Sequence, residues 1–301
     1  MKKNVLIFSL TLILFACGSD SGQQDDRFYV VTTTMMLEDA VQNIAGDLVR
    51  VESIMGPGVD PHLYRATPSD FRRMEQADLI IYNGLMLEAR LAQVLSQQSE
   101  RAFAAAEVLS NDRLIEAFEF GGNYDPHVWF DVSLWIDVVD GIAVKLSERI
   151  QDYSEQIKEN ASDYIRELHE LHEWVYDEIQ SIPENRRVLI TAHDAFQYFG
   201  LAYNIDVRGL QGLSTQSEVG LRDISNMAGF IVDTQIPAIF LETSVPPRGI
   251  QSLINGVNQR GGSVSLGGEL YSDAMGERGT TEGTYIGMVQ FNVNTIVEAL
   301  Q

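Results

Sequence analysis

Short apolar runs alternate along the chain with segments whose apolar residues recur every third or fourth position. Residues 28–33, 49–55 and 79–83 read as strands, with a helix over 37–45. The run Leu79-Ile80-Ile81-Tyr82 is the kind of strand buried on both faces of a parallel sheet. Gly56-Pro57-Gly58 breaks the second strand. Thr67-Pro68-Ser69-Asp70 predicts a helix start, with Thr67 as cap and Pro68 at the first helical position. The alternation restarts over 187–191, 206–210, 238–241 and 263–266, with helical patterns between. Strands alternating with helices predict an α/β fold of parallel sheets with flanking helices. Two such sets in a chain of 301 residues predict two lobes. Between the sets, residues 132–182 contain no Pro and only one Gly, Gly141. From Ser154 onward Ile157, Ala161, Tyr164, Ile165, Leu168, Leu171, Val175 and Ile179 form a sustained apolar stripe, and Pro183 ends it. A helix of about 28 residues would be about 42 Å long. The expected layout is therefore a first lobe over 28–150, one long rigid linking helix within 151–183 and a second lobe over 184–301. Such a connector permits a small tilt and resists wide hinge closure.

The first residues change the picture of where the chain works. Lys2 and Lys3 precede an apolar run over 5–16, too short to remain as a spanning helix, which predicts a cleaved signal peptide over 1–16. The ending Leu14-Phe15-Ala16-Cys17 resembles a bacterial lipobox, which implies that Cys17 becomes the acylated N-terminus. Residues 17–27 then read as a flexible tether. The expectation is an extracytoplasmic protein held to a membrane by its lipid. Cys17 is the single cysteine, so no disulfide is available and stability must come from a core. The formal net charge of −22 becomes more negative once the leader's two lysines are removed. A chain this acidic is repelled by phosphate backbones, which excludes nucleic acid as a partner. No later stretch has the apolar length to cross a membrane.

Candidate chemistry lies in the histidines, of which there are five. Asp-Pro-His occurs twice, as Asp60-Pro61-His62 and Asp125-Pro126-His127. His193 ends the apolar run Val188-Leu189-Ile190-Thr191-Ala192, and Asp273 stands in the turn-like stretch Leu270-Tyr271-Ser272-Asp273-Ala274. These four are roughly 65, 66 and 80 residues apart, which rules out a finger-type site. The spacing suits a site assembled from strand ends where two lobes meet, as in open α/β sheets. Three imidazoles and a carboxylate make one transition-metal shell. The proline in each Asp-Pro-His fixes φ and stiffens the approach to the ligand. Asp60 and Asp125 are placed to accept the second N–H of the imidazole that follows, an outer role also open to Glu242. His169 and His172 lie three apart on the long helix; the zincin motif needs four, so they read as exposed helix histidines.

Together these residues resemble the metal-specific solute-binding lipoproteins of bacterial ABC importers, the cluster that takes up zinc, manganese or iron. Asp60-Pro61-His62-Leu63-Tyr64 with Thr67-Pro68-Ser69-Asp70, then Asp125-Pro126-His127-Val128-Trp129, Thr191-Ala192-His193-Asp194-Ala195-Phe196 and Tyr271-Ser272-Asp273 resemble its four ligand motifs. Gly212-Leu213-Ser214-Thr215 with Glu218 resembles another stretch of its second lobe. The resemblance spans the mature chain and implies two α/β lobes joined by one helix, with metal ligands His62, His127, His193 and Asp273. It also implies a permease and a cytoplasmic ATPase as partners of a monomer. Two departures bear on the metal. The interval 82–124 has no histidine, where many zinc-specific members carry a His-rich loop. The third ligand position holds His193, where manganese-associated members commonly have Glu. Imidazole favours zinc, with manganese the alternative and iron behind it. The rival readings are a zinc-dependent hydrolase and a surface adhesin. A hydrolase needs an open metal position for water, whereas a four-ligand shell is full, and Asp194 and Glu242 are the nearest candidate bases. The chain therefore reads as a binding protein and not an enzyme.

Overall fold

Alternate residues of the central strands enter different cores, so these strands are covered on both faces. The computed structural model describes residues 25–117 and 121–301; the expected leader, Cys17 and the tether up to residue 24 lie outside the described residues. The first lobe contains β1 (Phe28–Thr32), α1 (Met35–Ala45), β2 (Val49–Ser53), α2 (Pro68–Gln76), β3 (Leu79–Tyr82), α3 (Ala92–Gln97) and β4 (Ala102–Ala104). Its strands pair in the order β2-β1-β3-β4, all parallel. On β1 and β3, Val30, Leu79 and Ile81 face a large central core, while Tyr29, Val31 and Ile80 join an outer core with Met74 and Leu95. A two-residue antiparallel pair, β5 (Glu116–Ala117) and β6 (Asn123–Tyr124), precedes α4 (Val132–Arg149) and α5 (Ser154–Ser181).

The second lobe repeats the plan with β7 (Val188–His193), α6 (Gln197–Tyr203), β8 (Asp206–Gln211), α7 (Leu221–Thr234), β9 (Ala238–Glu242), α8 (Arg248–Gln259), β10 (Ser265–Leu270) and α9 (Tyr285–Leu300). Strands β7 and β8 pair in parallel, as do β9 and β10, and β7 lies alongside β9. Leu189 of β7 belongs to the central core, whereas Ile190 and Ala192 belong to an outer core with Ile239, Leu253 and Val257.

The central core is continuous from the first lobe to the second. It contains Val30 and Ile44, the buried stripe of α5, and Phe240, Tyr285 and Ile296. Helix α5 buries Ile157, Ala161, Tyr164, Leu168, Leu171, Val175 and Ile179 at three- and four-residue steps, while Ile165 is half-buried at the edge of the stripe. Ile182 already has extended backbone, as the residue before Pro183 must. Among the described residues, no helix is long and apolar enough to cross a membrane.

Two strand boundaries differ from their sequence-based expectation and one helix carries no clear sequence pattern, each for a visible reason. The last strand runs Ser265–Leu270 rather than 263–266 because its register shifts between Leu266 and Gly268. Gly267 and Gly268 hide the strand by interrupting its apolar pattern, yet the packing needs them. A Cβ at Gly267 would come 2.7 Å from the Phe240 ring, and Gly268 has a φ of 144°. The second strand is assigned only to Ser53, but Ile54 and Met55 continue the ladder by donating to Thr32 and Thr33 carbonyls. Helix α4 escapes a one-stripe pattern because it buries most of its circumference, including Leu134, Trp135, Ile136, Val138, Val139 and Ile142. It starts at Asp131, whose side chain accepts from the Ser133 amide at 2.8 Å.

Truncating the α5 stripe tests the shared core directly. Leu168→Ala should cost about 2–5 kcal/mol by cavity creation, while Glu170→Ala on the exposed face should stay within about 0.5 kcal/mol. Urea denaturation of the two variants measures both, and equal effects would contradict the assigned helix face.

Candidate metal centre

The four candidate ligands lie at strand ends or in the loops that follow them. His193 ends β7, His127 and Asp273 follow β6 and β10 by three residues, and His62 stands in the loop between β2 and α2. Asp60 Oδ1 accepts the amides of His62 at 2.8 Å and Leu63 at 3.3 Å, so the carboxylate turns the chain into the first histidine. Farther along, Thr67 and Asp70 form a capping box at the start of α2, with Pro68 in its first turn. Tyr64 donates to the same Asp70 carboxylate at 2.6 Å, and Arg73 donates at 2.5 Å. Burial opposes the charge on Asp70, yet Tyr64, Thr67 and Arg73 together hold its pKa down at about 2. The loop carrying His62 is thus tied at both ends.

The second Asp-Pro-His is held more tightly. Asp125 Oδ1 takes the His127 amide at 2.9 Å and its ring Nδ1 at 2.7 Å. Asn83, just past β3, donates to the Pro126 carbonyl at 3.0 Å, and Tyr198 donates to the Asp125 carbonyl at 2.9 Å. His193 is the last residue of β7, and Glu242 the last of β9. Glu242 accepts the His193 amide at 2.7 Å and its Nδ1 at 2.5 Å. Such bonds fix the ring and leave Nε2 free to bind a metal. Asp273 follows β10 by three residues; its neighbour Ser272 accepts the Trp129 indole N–H at 3.1 Å and shares a hydroxyl contact with Ser244 at 2.9 Å.

These supports bring one ring nitrogen from each of His62, His127 and His193 and a carboxylate oxygen of Asp273 within 4.8 Å of one another. His62 Nε2 lies 3.2 Å from His127 Nε2, and the three Nε2 atoms stand 3.3–3.5 Å from Asp273 oxygens. All four side chains are at most 2% exposed. Both Asp273 oxygens and His193 Nε2 are buried without a hydrogen-bond partner. A buried carboxylate left that way costs several kcal/mol unless a cation compensates it. The donor set and its spacing fit a four-coordinate transition metal.

The electrostatics carry the same message. Burial lowers the His62 pKa to about 3, so that imidazole is already neutral and ready to ligate. At His193 burial also disfavours charge, but the Glu242 and Asp273 carboxylates outweigh it and raise the pKa well above the usual value. Burial would raise the pKa of Asp273; the three imidazoles overcome that and hold it far down, so the carboxylate stays ionised.

Two expectations are amended here. Asp60 serves the backbone amides of its loop rather than the His62 ring, whereas Asp125 serves both for His127. His169 is exposed, but His172 is half-buried and its Nδ1 lies 3.0 Å from the Tyr203 hydroxyl; neither belongs to the cluster. Asp194 is occupied by Gln197, which donates at 2.7 Å. Asn83 and Tyr198 support the site from distant positions, and no local sequence signal marks that role, whereas Trp129 lies within the second Asp-Pro-His motif.

A pair of α/β lobes joined by one helix, with a buried His-His-His-Asp cluster between them, defines the class of metal-binding substrate-binding proteins. The family model for ZnuA, the periplasmic component A of the zinc-uptake complex, matches residues 30–299, and the chain belongs to that family. It is 45% identical over 295 residues to the manganese-binding lipoprotein MntA of Bacillus subtilis, covering 97% of this chain and 96% of that one. It is 44% identical over 293 residues to the zinc-binding protein TroA of Treponema pallidum, covering 97% and 94%. The solved structure of the Treponema pallidum protein superposes with a TM-score of 0.89, over 91% of this chain and 99% of that one.

The shifted histidine predicts a proton balance. The Glu242 and Asp273 carboxylates raise the proton affinity of His193, so metal entering the site competes with a proton for that ring. Binding should therefore release a proton near pH 7, and affinity should fall as pH drops. Calorimetry in buffers of different ionisation enthalpy reads the release, and an affinity flat from about pH 8 to 5.5, across the ordinary imidazole range, would contradict it.

Proposed function

We propose that this protein is the extracytoplasmic, lipid-anchored receptor of an ABC importer that captures a divalent transition metal between its lobes. Its ligands are His62, His127, His193 and Asp273, and the observation that carries the reading is the Asp273 carboxylate, buried and unpartnered among three imidazoles. Two further carboxylates, Asp125 and Glu242, orient His127 and His193, and Asp60 shapes the loop of His62. The first lobe offers His62 and His127, and the second offers His193 and Asp273. Metal entry relieves the uncompensated charge and draws the two pairs together. Release to a membrane permease, driven by its cytoplasmic ATPase, requires one lobe's ligands to be pulled from the other's. Cys17 supplies the anchor, and the protein acts as a monomer.

Zinc is the cargo this shell suits best, since three nitrogens and one oxygen match its tetrahedral preference. Manganese is the second reading, favoured by the name of the Bacillus subtilis relative, and iron follows. A shell that already holds four ligands leaves no position for an activated water, which argues against hydrolysis.

Three measurements bear on this reading. Ala at His62, His127, His193 or Asp273 should weaken zinc and manganese binding by tenfold or more, on the order expected for ligand loss, while His169→Ala should leave it unchanged. Equal effects would misplace the site. Zinc or manganese should raise the melting temperature by mass action; a melting temperature indifferent to both would sink the receptor reading. His193→Glu exchanges a nitrogen for oxygen donors and should narrow the preference for zinc over manganese. Competition titration measures the ratio, and a widened preference would remove His193 from the selectivity argument.

A further inference from the structure

The three imidazoles of the cluster are not held alike. His127 and His193 each give amide and ring Nδ1 to one carboxylate within their own lobe, Asp125 and Glu242 respectively. No partner reaches Nδ1 of His62 among the described residues. What holds His62 is its backbone, and half of that hold comes from across the cleft. Its amide donates to Asp60 Oδ1 at 2.8 Å, while its carbonyl accepts from Gln216 Nε2 at 3.2 Å. The other oxygen of Asp60 accepts from the Thr215 hydroxyl at 2.5 Å. Thr215 and Gln216 lie in the loop between β8 and α7, in the second lobe.

That loop springs from the metal cluster itself. Gln211, the last residue of β8, is the register partner of His193 on β7. Its side-chain amide donates to the Thr215 carbonyl at 2.9 Å, which braces the loop from below. A continuous path therefore runs from His193 through Gln211 to Thr215 and Gln216, and across to Asp60 and His62. Another cross-lobe bond, from the Trp129 indole to the Ser272 carbonyl, lies within the buried interior.

We propose that Thr215 and Gln216 are positioning residues that hold His62 on the metal from the opposite lobe, and that this clasp sets the rate of metal release. The proposal rests on reading the cluster as a metal shell. Parting the lobes here breaks both clasp bonds and leaves His62 with the Asp60 bond to its amide and no carboxylate on its ring. His127 and His193 keep theirs, because those bonds lie inside single lobes. Opening and loss of the His62 ligand thus become one event, and a shell reduced to three ligands loses its ion faster than a shell of four.

The test uses the full chain loaded with zinc alone or with cobalt alone. Thr215→Val removes the hydroxyl at nearly constant shape, and Gln216→Ala removes the amide; the double variant removes the clasp. Zinc dissociation into excess chelator, followed by stopped flow, should be about tenfold faster in the double variant, the order expected when an outer partner of a ligand is lost. Thr215→Ser, which keeps the hydroxyl, should restore the wild-type rate at that position. The visible ligand-field spectrum of the cobalt form should change in the double variant, because His62 is displaced. The melting temperature of the metal-free chain should not change. A dissociation rate within about twofold of wild type, or a metal-free melting temperature that falls as far as the loaded one, overturns the clasp. Wild-type protein that takes up neither ion overturns the receptor reading and the clasp with it.

Discussion

Everything in this molecule is arranged around one carboxylate that cannot be left alone. Asp273 is buried, keeps its negative charge, and has no hydrogen bond on either oxygen. In water such a group would be solvated by several donors; here its near neighbours are three imidazole nitrogens at 3.3–3.5 Å. The imidazoles favour the charged carboxylate, and a buried charge of this kind is compensated best by a cation. The surrounding structure keeps all four side chains out of solvent. Two parallel sheets present strand ends to each other, and a buried tryptophan stands with its ring edge-on to His127 at 5.3 Å between centroids.

How much of this was legible in the chain depended on whether the information was local. The stripe of α5 could be read because each buried residue announces the next at three- and four-residue steps, and the helix ends at Ser181, just before Pro183. Asp60-Pro61-His62 and Asp125-Pro126-His127 could be read because the same three residues recur among few histidines. Their different uses could not. The Asp125 carboxylate reaches the imidazole ring and the Asp60 carboxylate reaches across the cleft, and that choice is made by folding, not by the tripeptide. Helix α4 was obscure for the opposite reason: burial around most of its surface erases the periodicity that would reveal it. The glycines of β10 broke an apolar pattern in order to admit Phe240 and α9. Contacts made at long range, such as Tyr198 on the Asp125 carbonyl, have no signature in the residues themselves.

Selectivity and release place opposite demands on such a shell. Nitrogen-rich coordination favours zinc, and the Irving–Williams order favours it over manganese at almost any site. A fully enclosed ion bound that way leaves slowly unless one ligand is easier to withdraw than the rest. The three histidines are held in two different ways. Two rings are locked by carboxylates of their own lobe, while the loop of His62 is anchored in part by the other lobe.

The continuous central core has a consequence of a different kind. Because Val30, Leu168, Phe240 and Ile296 belong to a single packed interior, neither lobe owns a complete hydrophobic interior. An excised lobe would leave one wall of that interior in water, so the two lobes are halves of a single cooperative unit rather than interchangeable modules. Such a chain resists being cut, swapped or recombined at its connecting helix. Its two halves share one packed interior, so a cavity opened there is set between both.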